Sequence, residues 1–148
     1  MGPIWIHVLA VGLAATGCGA PAGPPGSFDL IVATDKPEYS LATDSVARVT
    51  LTNRSDRVVY LPMASYLVYE RLRDGDWRDA FAWFVVDGVG RSFPLDPGAA
   101  VTDELQLRFY LPDQPGTYRF QYFAYGDPAV RLLLPIEERV SQPVVVGR

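Results

Sequence analysis

The chain has 148 residues, 49% of them hydrophobic and 20% charged, which fits one globular domain and excludes a disordered chain. Its net charge of −4 lacks the basic footprint that nucleic-acid binding needs. Cys18 is the single cysteine, so the fold has to stand on its apolar core rather than on disulfides.

In chain order the first element is Ile4 to Ala15 (IWIHVLAVGLAA), apolar apart from His7. It is shorter than the roughly 20 residues of a membrane-spanning helix and suits the apolar region of a signal peptide. Ala15-Thr16-Gly17-Cys18 follows and resembles the lipobox of bacterial lipoproteins, with Ala15 where that motif most often has leucine. The resemblance implies cleavage between Gly17 and Cys18 and a diacylglycerol on the thiol. A secretory leader cut elsewhere and a free buried thiol are the competing readings of Cys18. Ala20 to Gly26 (APAGPPG) favours the anchor, because a Pro/Gly tract stays extended and solvated, as a tether must. The expected organisation is a signal peptide over 1–17, a lipidated cysteine and flexible linker over 18–27, and a folded domain over 28–148. The expected location is the bacterial cell envelope, facing the periplasm or the exterior.

From Phe28 onward short alternating stretches are broken by turn residues, which predicts an all-β antiparallel sandwich of about seven strands. Phe28, Leu30 and Val32 face one way in the first stretch, and Ala47, Val49 and Leu51 do so in the second. Asn53 to Arg57 is a polar turn before Val58 to Leu61. Tyr66 to Leu72, an Asp74-Gly75-Asp76 turn and Trp77 come next. Phe81 to Val86 is an apolar run, either a buried strand or a short helical connection. After Leu95-Asp96-Pro97-Gly98, the alternation over 101–109 puts Val101, Leu105, Leu107 and Phe109 inward. Tyr118, Phe120 and Tyr122 form one face of the following strand, and Val144 to Val146 closes the domain. Between them, Gly126 to Glu138 reads as an extra strand more readily than as a protruding loop.

Tyr39, VARVTLTN over 46–53, Asp74-Gly75-Asp76-Trp77, Leu95-Asp96-Pro97-Gly98 and Pro115-Gly116-Thr117-Tyr118-Arg119-Phe120 occur in that order. Together they resemble a bacterial immunoglobulin-like domain of cell-envelope lipoproteins. A related immunoglobulin-like family includes an intracellular proteinase inhibitor of Gram-positive bacteria. The resemblance implies a single immunoglobulin-like sandwich with Tyr118 as a tyrosine corner and Phe120 in place of a disulfide cysteine. Trp77 and Gly116 are further structural positions of the motif.

The region 28–148 contains neither histidine nor cysteine, which removes the commonest general base, the thiol nucleophile and the usual zinc ligands. Lys36, the one lysine, lies in a proline turn, a poor setting for an activated amine. Asp74, Asp76 and Asp79 could suggest calcium, yet Asp-Gly is foremost a hairpin signal. Asn53-Arg54-Ser55 matches a glycosylation sequon, but Asn53 reads as a turn former. No enzyme, cofactor or metal is expected, and no small-molecule substrate is implied. Tyr66, Tyr69, Phe123, Tyr125 and Leu133 are candidates for a protein-binding patch. The expected partners are the membrane, through the lipid on Cys18, and a protein of the envelope. A proteinase inhibitor presenting a loop, over 87–94 or 126–138, is the alternative.

Overall fold

The computed structural model describes residues 27–63, 67–81, 92–111 and 114–148, so the leader, Gly17 and Cys18 lie outside the described residues. In chain order the strands are β1 (Leu30–Thr34), β2 (Glu38–Ser40), β3 (Val46–Asn53), β4 (Val59–Pro62) and β5 (Leu67–Arg73). They continue as β6 (Asp76–Phe81), β7 (Ser92–Leu95), β8 (Ala100–Gln106), β9 (Gly116–Tyr122) and β10 (Val144–Gly147), with a helical turn α1 (Leu107–Tyr110) after β8. The fold is an all-β sandwich. One layer is the sheet β1-β3-β8, the other is β2-β10-β9-β5-β6, and β4 and β7 pair separately.

Alternation sorts the two faces of each layer, because successive side chains of a strand point to opposite sides. Ala47, Val49 and Leu51 of β3 are fully buried, and Tyr118, Phe120 and Tyr122 of β9 meet them across the core. The Tyr122 hydroxyl spans the two layers and hydrogen-bonds the Val49 carbonyl oxygen at 2.8 Å. Val144 and Val146 of β10 are buried beside them.

Turn chemistry fixes the corners. Asp74 and Gly75 both take positive φ, 55° and 87°, the geometry that a two-residue Asp-Gly hairpin requires between β5 and β6. Asn53 acts as a turn former and is fully buried. Its amide donates to the carbonyls of Arg57 (2.7 Å) and Leu95 (2.9 Å), and its oxygen accepts the Ser55 N–H at 3.1 Å. A buried amide saturated in this way is a structural clamp joining three segments.

Several expectations need correction. Ten strands occur among the described residues against about seven expected, because short pieces such as Glu38–Ser40 and Ser92–Leu95 also pair. One pairing, β10 with β2, is parallel. Residues 126–138 form no extended strand: a single bridge joins Tyr125 to Leu133, and Ile136–Glu138 is a 3₁₀ turn. Phe109 does not face inward. Strand β8 stops at Gln106, α1 turns Leu107 into the core, and Phe109 is left 66% exposed. The run after Phe81 lies over 82–91, outside the described residues.

Candidate functional site

The sequence-derived aromatic patch is not assembled as expected. Tyr69 is a core residue, because β5 pairs it with Phe120 and both point inward. Its ring meets Tyr118 edge-on, with centroids 6.1 Å apart. Tyr66 lies outside the described residues. Phe123 is half-buried beside the Arg139 guanidinium, 5.7 Å from the ring centroid. Arg139 is itself buried and donates to the carbonyls of Leu134 (2.8 Å) and Tyr122 (3.0 Å). Tyr125 is half-buried and exchanges two 2.9 Å backbone hydrogen bonds with Tyr60. Among the described candidates Leu133 alone is exposed, at 41%.

The structural positions are accounted for more directly. The Tyr118 hydroxyl donates to the Gln114 carbonyl at 2.6 Å, four residues upstream, as a tyrosine corner does. Phe120 is fully buried. Gly116 makes room for Arg71: a Cβ there would sit 2.8 Å from Arg71 Nε. Arg71 thereby reaches the Pro115 carbonyl (2.6 Å) and the Gln114 side chain (2.9 Å) and braces the entry to β9. Trp77 stands on the outer face of the five-stranded sheet rather than in its core.

That outer face carries a feature the sequence reading missed. Val145 of β10 pairs with Thr117 of β9, and Leu72 of β5 pairs with Trp77 of β6. Arg71 pairs with Tyr118, so one step further along the same register Leu72 comes abreast of Thr117. Val145, Thr117, Leu72 and Trp77 therefore form one row across four strands, roughly 14 Å long at the usual strand spacing. Val145 is 48% exposed and Leu72 39%. Beside the row Arg119 lies over the Trp77 ring, 4.6 Å from its centroid, and its Nε donates to Glu70 at 2.5 Å. Both charged side chains are largely shielded, at 19% and 10% exposure, so the guanidinium is held in a fixed position.

A second exposed feature sits where the chain leaves the sandwich after β9. Gly126 N–H donates to the Leu132 carbonyl at 2.8 Å, closing a short loop. The Asp127 carboxylate fills the loop, accepting from the backbone N–H groups of Ala129 (2.9 Å), Arg131 (3.0 Å) and Leu132 (2.5 Å). Those amides, Leu132 first, hold the Asp127 carboxyl below the ordinary carboxylate range. Val130 takes a positive φ of 50°, unusual for a β-branched residue. Leu134 is buried at the base of the loop, while Leu132 is 57% exposed beside Leu133.

Among the described residues no group of three His, Cys, Asp or Glu side chains could hold a metal ion, and no helix is long and apolar enough to cross a membrane. No family model matches the chain, and no curated protein matches it. Solved structures that align include a beta-glucosidase from Listeria innocua in complex with gluconolactone, at 20% identity and a TM-score of 0.38. The same enzyme in complex with isofagomine aligns at 20% identity and 0.37. In both, the alignment covers 82% of this chain and 16% of the glucosidase chain. A likeness at that level assigns no chemistry.

Proposed function

We propose that the chain is a non-catalytic cell-envelope lipoprotein, anchored by lipid on Cys18, whose immunoglobulin-like sandwich binds another envelope protein. The observation that carries this reading is the row Val145–Thr117–Leu72–Trp77 with Arg119 fixed beside it. Trp and Arg are the side chains that most often dominate binding energy at protein interfaces, and a rigid sheet holds them with little ordering entropy left to lose. The partner surface that fits is an apolar ridge, because the Arg119 charge is already answered by Glu70. The absence of His and Cys from 28–148 supports a role without catalysis.

The inhibitor alternative needs an extended segment able to enter a protease cleft. The loop at 126–132 curls tightly on itself and lends that reading no support, and residues 87–91 lie outside the described residues. The test is affinity purification of the full-length chain from its own membranes, with and without the Leu72→Asp and Val145→Asp changes. Both sites are exposed, so the double variant is expected to keep its melting temperature and lose a specific co-purifying protein. Retention of the same partner would refute binding at this face.

A further inference from the structure

We propose that the loop Gly126–Leu134 is a membrane-contacting element, with Leu132 and Leu133 entering the interfacial zone of the bilayer and Arg131 at headgroup level. The inference rests on the lipid anchor at Cys18 and adds an orientation for the domain. Its first ground is the junction between tether and sandwich. Phe28, the first residue of the folded region, is buried directly beneath this loop. A Cβ built at Gly126 would lie 3.0 Å from Leu132 Cδ2 and 3.1 Å from Phe28 Cζ, so ring, glycine and leucine are packed together.

The second ground is reach. Nine residues, 19–27, separate Cys18 from Phe28, and a chain of that length spans at most about 30 Å when fully extended. The tether therefore keeps whatever faces outward beside Phe28 within about 30 Å of the anchor, a distance at which it can reach the headgroups. What faces outward there is Leu132 and Leu133, on a loop that the Asp127 carboxylate stiffens by three backbone hydrogen bonds. Stiffness matters because apolar side chains on a preformed turn enter an interface without a further ordering cost.

The third ground is charge. The protein as a whole is acidic and this end carries acids too, but Asp127 is turned into its own loop amides, Asp29 pairs with Arg54, and Glu138 is half-buried beside the Phe28 amide. Arg131 is exposed on the loop, Arg57 stacks on the Phe28 ring at 4.3 Å, and Arg54 pairs with Asp29 at 3.7 Å. An exposed arginine, Arg131, directly before the exposed Leu132 and Leu133 suits a surface that sets its cation among anionic headgroups and its apolar part below them.

The test uses the full-length lipidated protein in vesicles of phosphatidylethanolamine and phosphatidylglycerol, some carrying brominated acyl chains. Lipidation occupies Cys18, so a cysteine introduced at Leu132, Leu133 or, as a control, Phe109 accepts an environment-sensitive fluorophore selectively. Bromolipid quenching is expected to be roughly threefold greater at 132 and 133 than at 109, since an interfacial contact sits about 5–10 Å into the headgroup boundary. Equal quenching at all three sites, in protein that floats with the vesicles and carries the lipid by mass spectrometry, overturns the inference and leaves the anchor intact. Protein that neither floats nor carries lipid overturns the anchor and the inference together. A probe shielded in native membranes but not in the protein-free vesicles puts a protein against the loop and overturns the lipid assignment.

Discussion

The Tyr118 hydroxyl shows how much a single atom contributes to this fold. It ties the start of β9 to the Gln114 carbonyl while its ring packs against Tyr69. Tyr118→Phe keeps the ring and removes the hydrogen bond, so stability is expected to fall by about 1 kcal/mol, read as a lower urea midpoint with unchanged slope. Glu138 carries the opposite sign. Burial pushes its carboxyl up, the Phe28 amide pulls it down less, and Glu137 adds repulsion. A raised folded-state value means that Glu138 favours the native state most below its unfolded value, near pH 4, and that this contribution is lost as pH rises through the folded value. Glu138→Gln is therefore expected to raise the melting temperature by roughly 2 °C at neutral pH, with the difference vanishing near pH 4. Residue roles of these two kinds differ in legibility. Tyr118 could be read from its place after Pro115-Gly116, a local pattern. Tyr69 could not, because Tyr66-Val68-Glu70 and Leu67-Tyr69-Arg71 are equally plausible inner faces, and pairing with β9, about 50 residues away, decides between them.

At the scale of elements, the loop after β9 and the end of β8 both depart from alternation. Three leucines at 132–134 suggest a strand, but Asp127 captures the Leu132 amide together with those of Ala129 and Arg131, and the pairing stops at one bridge between Leu133 and Tyr125. Asp127→Ala is expected to leave global unfolding nearly unchanged and to speed amide exchange at Ala129, Arg131 and Leu132 by roughly tenfold. Because the folded-state carboxyl is held low, the same loosening is expected in the unaltered protein as pH falls through that range, and not at neutral pH. Phe109 is the other departure. Alternation assigns Leu107 and Phe109 to one side, whereas a helical turn separates residues two apart by more than half a revolution. No capping residue announces α1: Gln106 precedes it without a side-chain cap hydrogen bond, so the sequence carries no signal for the switch.

For the whole molecule, the sandwich was legible because Asp-Gly, Pro-Gly and polar turns punctuate alternating strands. The assortment of strands into layers was not, since the parallel pairing of β2 with β10 joins residues over a hundred positions apart. The outer-face row has the same origin. Leu72 and Trp77, Thr117 and Arg119, and Val145 come from three distant stretches, and none of them forms a motif alone. The central claim, that this row is where a protein partner binds, is tested most directly by a photo-crosslinking side chain placed at Leu72 in the full-length chain in its own cells. Ile31 is the matched control, 38% exposed on the other layer against 39% for Leu72. A discrete heavier adduct from position 72, absent from position 31 and lost when Val145→Asp is added, is the expected result. Equal labelling from both positions, or none from position 72, would contradict it.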